Sequence, residues 1–156
     1  MIRFSVLTLV LVMAACTQPQ TPSEQLSPAP SGNSSNGALS APTPSDVTVR
    51  INAAQEGQTV QVGVNQRFAV ELVGTPTAGY VWAPAQMPVF ITRAGDASGP
   101  TISAQNQPGY AGGNHWEVLM FAATGPGSGE LVLEQRRPWE TNEPPAHTFR
   151  VTIVAH

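Results

Sequence analysis

Between residues 46 and 156 the apolar side chains recur at every second position, in short runs separated by Gly and Pro. Val47, Val49 and Ile51 alternate with Thr48, Arg50 and Asn52, and Val60, Val62 and Val64 with Gln61 and Gly63. Phe68, Val70 and Leu72 alternate with Ala69 and Glu71, and Phe149, Val151 and Ile153 with Arg150, Thr152 and Val154. A period of two sends successive side chains to opposite faces of an extended chain, so each run reads as a strand with one buried and one wet face. Further short segments at 80–82, 89–92, 116–122 and 131–135 are bounded by Gly or Pro. No window carries a sustained helical period with caps. About seven to eight short strands with frequent turn signals predict an all-β fold, an antiparallel sandwich in a single domain at 46–156. Gly125-Pro126-Gly127-Ser128-Gly129 reads as a tight connection whose glycines permit positive φ. A chain with one cysteine forms no internal disulfide, so the core must hold the sandwich, at about 1.5–3 kcal/mol for each fully buried large side chain. Trp82 or Trp116 is expected in that core.

The N-terminal residues have a different character. Arg3 is followed by an apolar run from Phe4 to Val12, then by Ala14, Ala15 and Cys16. This is the layout of a secretory signal peptide over residues 1–15, with an apolar run too short to span a bilayer comfortably. Val12-Met13-Ala14-Ala15-Cys16 resembles a bacterial lipobox, with Met13 where Leu is usual. The resemblance implies cleavage before Cys16, a lipid on its thiol and membrane attachment through that lipid. Residues 16–45 hold Pro19, Pro22, Pro28, Pro30, Pro42 and Pro44 among Ser, Gln, Asn and Gly, with Glu24 their only charge. Such a stretch buries too little apolar surface to offset chain entropy and is expected to be a disordered tether. Its reach is roughly 30 Å as a coil. The chain is thus expected to be exported and lipid-anchored to a cell envelope. Thr17 after the cysteine resembles the outer-membrane sorting pattern of Gram-negative lipoproteins.

The residues argue against catalysis. His115, His147 and His156 have no cysteine partner in the domain, and no G-x-S-x-G, H-E-x-x-H or cysteine pair is present. Glu140 and Glu143 flank a Pro-rich loop where solvent should reach both. No enzyme activity, metal or cofactor is expected. The chain has no Lys and a net charge of −3, so the basic patch that nucleic-acid binding needs is missing.

Three Pro/Gly/aromatic segments lie between predicted strands: Thr75-Pro76-Thr77-Ala78-Gly79-Tyr80, Gly109-Tyr110-Ala111-Gly112-Gly113, and Arg137-Pro138-Trp139. Loops on a rigid scaffold are where recognition usually lives. In this order, with Gly125…Gly129-x-Leu131-x-Leu133 between the second and third, they resemble the chagasin-like inhibitors of papain-type cysteine peptidases. The resemblance runs from about Val60 to Val154. It implies an immunoglobulin-like β-sandwich, no catalytic residues, and a monomer that binds a papain-like cysteine peptidase by reversible occlusion of its cleft.

By that resemblance, residues 75–80 enter the cleft beside the catalytic thiol, with Thr77 nearest it. Pro76 fixes φ and Gly79 lets the backbone turn closely. Thr75 stands where the family usually has Asn, and Ala78 where it has a second Thr. A Thr75 hydroxyl is expected to bond the backbone more weakly than Asn would. Residues 109–113 lie along the substrate side of the cleft, with main-chain hydrogen bonds at the glycines and an aromatic contact from Tyr110. Arg137, Pro138 and Trp139 form the opposite side, with Trp139 as an anchor. The competing expectation is an immunoglobulin-like envelope lipoprotein module that binds another protein or carbohydrate. That reading does not require Thr77, Gly112 and Trp139 at one end of the sandwich.

Overall fold

The computed structural model describes residues 37–156. The signal segment, Cys16 and the tether up to residue 36 lie outside the described residues. Among the described residues, eight strands form two four-stranded sheets: β1 (Val49–Asn52), β2 (Thr59–Val62), β3 (Arg67–Gly74), β4 (Val81–Gln86), β5 (Ile91–Pro100), β6 (His115–Ala123), β7 (Gly127–Arg136) and β8 (His147–Ala155). One sheet runs β1-β3-β6-β5 and the other β2-β8-β7-β4. The all-β sandwich is as expected, and its sheets are mixed. β1 lies parallel to β3, and β2 parallel to β8, while the other pairs are antiparallel. A short connection carries the chain from β1 at the edge of one sheet to β2 at the edge of the other. A capping box on Asn52 and Gln55 shapes that crossing.

The core lies between the sheets and follows the alternation. Phe68, Val70 and Leu72 of β3 meet Leu119 and Phe121 of β6, Leu131 and Leu133 of β7, and Phe149, Val151 and Ile153 of β8. The rings of Phe68 and Phe121, paired across β3 and β6, stack with centroids 5.5 Å apart. Neither Trp82 nor Trp116 is fully buried. Trp82 packs on the margin of the main core and donates Nε1 to the Val73 carbonyl at 3.0 Å. Trp116 donates Nε1 to the Leu39 carbonyl at 2.7 Å. Each indole N–H needs an acceptor, which keeps the Trp82 ring at the core's margin, while Trp116 lies on the opposite face of β6 from Leu119 and Phe121.

Three further expectations are corrected. First, residues 127–129 are strand, paired with Ala155, Val154 and Ile153, and none of these glycines has positive φ. Space is what requires glycine at 127, because a Cβ there would sit 2.6 Å from the Phe90 ring. Second, β5 extends through a polar stretch to Pro100, with a bulge between Arg93 and Gly95. Third, the ordered domain begins before Asp46. Residues 37–47 lie along the outer face of the β1-β3-β6-β5 sheet. There Ala41 and fully buried Val47 pack with Ala69, Val118, Met120, Ala94 and Ala97. Small apolar side chains on that face give a Pro-rich segment enough surface to pack against.

Candidate functional site

The topology decides where the three segments meet. β3, β5 and β7 end, and β4, β6 and β8 begin, at one end of the sandwich: Gly74 and Pro100 both pair with His115, and Val81 pairs with Arg136. Loop 1 (residues 75–80) crosses from one sheet to the other. Loop 2 (residues 101–114) joins β5 to β6 within the first sheet, and loop 3 (residues 137–146) joins β7 to β8 within the second. Loop 1 is therefore central, with one loop on either side.

Loop 1 is a closed turn. Pro76–Ala78 form a single 3₁₀ turn, with Ala78 N donating to Thr75 O at 2.9 Å and Gly79 N to Pro76 O at 2.9 Å. Gly79 ends it in the left-handed region (φ 83°), and Tyr80 N returns to Thr75 O at 3.3 Å. Pro76 starts such a turn at no conformational cost, and Gly79 is the residue type that closes it without strain. Pro76, Thr77 and Ala78 are exposed at the tip. Thr75 makes no side-chain bond to the loop's own backbone, contrary to expectation. Its hydroxyl donates instead to Asn114 Oδ1 at 3.2 Å, linking loop 1 to loop 2.

In loop 2, Gln105 holds the base together. Its Oε1 accepts from Thr101 N at 2.6 Å and Ile102 N at 3.1 Å, and its Nε2 donates to Asn114 O at 2.8 Å. Gly109, Gly112 and Gly113 all have positive φ, which bends the tip tightly, and Tyr110 is exposed there. In loop 3, Arg137 donates Nε to the Ala78 carbonyl at 2.9 Å and an Nη to Glu140 Oε1 at 2.9 Å. Its guanidinium lies 4.6 Å over the Tyr80 ring. The bond to Glu140 holds its pKa above the ordinary arginine value. Trp139 is 68% exposed, and one edge of its indole rests on Gly79, where a Cβ would come within 2.4 Å of Cη2. The ring is thus a surface residue laid on loop 1, rather than a satellite of the core.

Glu117 was not among the predicted site residues. It lies on β6 two residues before Leu119 and so points between the sheets, beneath loop 1. One carboxylate oxygen accepts from Trp82 N at 2.8 Å, tying the start of β4 across the sandwich, and the other is buried without a partner. Burial pushes the carboxyl up from its ordinary value, opposed by the Trp82 amide and the nearby His115. Gly74 makes room for it, since a Cβ there would lie 1.7 Å from the carboxylate. An acidic residue at an inward register, with Gly74 two positions along β3 from its ladder partner Leu72, is the signal in the sequence that could have identified it.

All the predicted loop residues therefore gather at one end, joined by Thr75–Asn114, Arg137–Ala78 and Trp139–Gly79. The arrangement offers a ridge with a rigid tip and two flanks, of the kind that fills a groove.

The model of the chagasin family peptidase inhibitors I42 matches residues 61–153. Among solved structures, the cysteine protease inhibitor EhICP2 from Entamoeba histolytica is similar at 17% identity and a TM-score of 0.58, over 69% of this chain and 95% of that one. The solution structure of amebosin shares 23% identity at a TM-score of 0.48, over 69% and 97% of the two chains. PbICP-C, solved in complex with falcipain-2, shares 17% at 0.43, over 72% and 93%. No curated protein matches the sequence.

Proposed function

This chain belongs to the chagasin family of peptidase inhibitors, and from that premise we propose that it inhibits papain-like cysteine peptidases by laying its loop end across the active-site cleft. The observation that carries the reading is that loops 2 and 3 both join loop 1, at Thr75 and at Ala78–Gly79. Arg137 and Trp139 brace loop 1 from one side and Asn114 from the other. Preorganisation of this kind reduces the ordering entropy lost on binding. Thr77 at the tip enters the cleft. A peptidase cleaves an extended segment aligned along its cleft, whereas residues 76–78 are wound into a turn. The tip therefore blocks the catalytic groups without presenting a scissile bond. Residues 109–113 offer main-chain groups to one wall, and Trp139, held by Pro138, anchors the other. Inhibition is reversible and steric.

Titration of papain with the purified protein tests this. Stoichiometric or nanomolar inhibition is expected; no inhibition at micromolar protein across several papain-like enzymes would sink the reading. We further propose that the domain is an exported monomer, anchored to the envelope through a lipid on Cys16. The support is the sequence from Val12 to Cys16. Cys16→Ser should move the protein from the membrane to the soluble fraction, and unchanged membrane association would argue against it.

A further inference from the structure

Residues 37–47 precede the segment matched by the family model, yet they bond directly to the base of loop 2. Leu39 N donates to Thr101 O at 2.8 Å, Ser103 N donates to Gly37 O at 3.0 Å, and Ala38 pairs antiparallel with Ile102. Trp116, on β6 just after loop 2, donates its indole N–H to Leu39 O at 2.7 Å. The segment is fastened along its length as well. Pro42 packs over Gly99, where a Cβ would lie 3.2 Å from the Pro42 ring, and the Thr43 hydroxyl donates to Glu71. At its far end Val47 is fully buried and Asp46 pairs with Arg67 at 2.7 Å.

We infer that residues 37–39 are a positioning element for loop 2, an added strand that fixes residues 101–103 and so aims the glycine-rich tip at the target. Without that segment loop 2 follows an edge strand, β5, and no other segment among the described residues pairs with its first residues from the outer side. Gln105 closes the loop from within, joining Thr101 and Ile102 to Asn114. It cannot orient that closed unit against the sheet. The bonds from Gly37 and Leu39 do this from outside, and Trp116 locks them to β6. The inference rests on the inhibitory reading for its consequence, and on geometry alone for its mechanism.

Leu39→Pro in the full chain removes the donor to Thr101 O, and Trp116→Phe removes the donor to Leu39 O while keeping an aromatic ring. Thr43→Val serves as a control that loosens the same segment away from loop 2. Amide hydrogen exchange over residues 101–113 should accelerate by about tenfold in Leu39→Pro and in Trp116→Phe, and stay within about twofold of the unmodified protein in Thr43→Val. The papain inhibition constant should rise by a similar factor in the first two alone. The rise should shrink when Tyr110→Ala is also present, because both changes then act on one loop. Exchange over 101–113 that does not change in Leu39→Pro overturns the inference, as does faster exchange with an unaltered inhibition constant. If the unmodified protein does not inhibit papain at all, the inhibitory reading fails, and the exchange measurement still decides whether the segment holds the loop.

Discussion

Gly79→Ala tests the bracing of loop 1 by loop 3, because two separate costs fall on one methyl group. The first is backbone strain. Gly79 has φ 83°, and an L-residue in the left-handed region costs about 1 kcal/mol or somewhat more. That cost falls on folding and should appear as lower stability in denaturant. The second is steric. The new Cβ would lie 2.4 Å from Trp139 Cη2 and 2.8 Å from Cζ2, so the indole must leave its seat. If Trp139 is an anchor, its displacement weakens binding by about 2 kcal/mol or more, roughly 30-fold in the inhibition constant. Trp139→Ala alone should weaken binding by a similar amount with little change in stability, since the ring is 68% exposed. The double variant separates the costs. Without the indole there is nothing for the methyl to displace, so Gly79→Ala should then weaken inhibition by less than about threefold, while the stability loss persists. The assay is a double-mutant cycle on papain inhibition, with denaturant unfolding of the same four proteins. Fully additive effects on inhibition would refute the reasoning, because they would mean that Gly79 and Trp139 act independently.

Other perturbations separate the loop end from the rest of the sandwich. Gly127→Ala forces the new methyl against the Phe90 ring at 2.6 Å, at the end away from the loops; it should cost about 1–3 kcal/mol in denaturant unfolding and leave papain inhibition unchanged. Phe121→Ala should cost about 3–5 kcal/mol of unfolding free energy, since the ring is fully buried and stacked on Phe68. Burial raises the Glu117 carboxyl above its ordinary value, so the folded state favours the protonated form. Its contribution to stability is full at low pH and is lost as pH rises through the raised value. Thermal unfolding of Glu117→Gln should therefore lack the part of the acid-side stabilisation seen in the unmodified protein, and an unaltered pH profile would count against the assignment.

The strands with strong alternation, β3 and β8 above all, could be read directly from the sequence, because one buried face demands large apolar side chains at every second position. The consecutive apolar residues of β6 and β7 showed as strands only through the Gly and Pro that bound them. β5 was legible only at its start. As an edge strand whose outer face lies under residues 37–47, it uses Ala94 and Ala97 where a central strand would use Val or Leu, and it bends at a Gly95 bulge. The same small residues explain why residues 37–45 read as tether: the composition of that segment is Pro- and Ser-rich, and its burial depends on the face opposite. The three loops announced themselves through Gly and Pro. What joins them did not. Arg137 reaching Ala78, Thr75 reaching Asn114 and Glu117 reaching Trp82 all depend on which strands become neighbours, and that is a property of the pairing between distant segments.

The entry point of the chain has a practical consequence for studying the protein. Gly37 joins the sandwich at Ser103, beside the loops, whereas the last strand runs out at the opposite end, where Ala155 pairs with Gly127. A label, bead or fusion partner attached through His156 stands a full strand length away from the loop end. One attached just before Gly37 starts next to it and competes for the same space. Measured association rates should therefore depend on which of these two attachment points is used, and the one at His156 leaves the loops open to a partner.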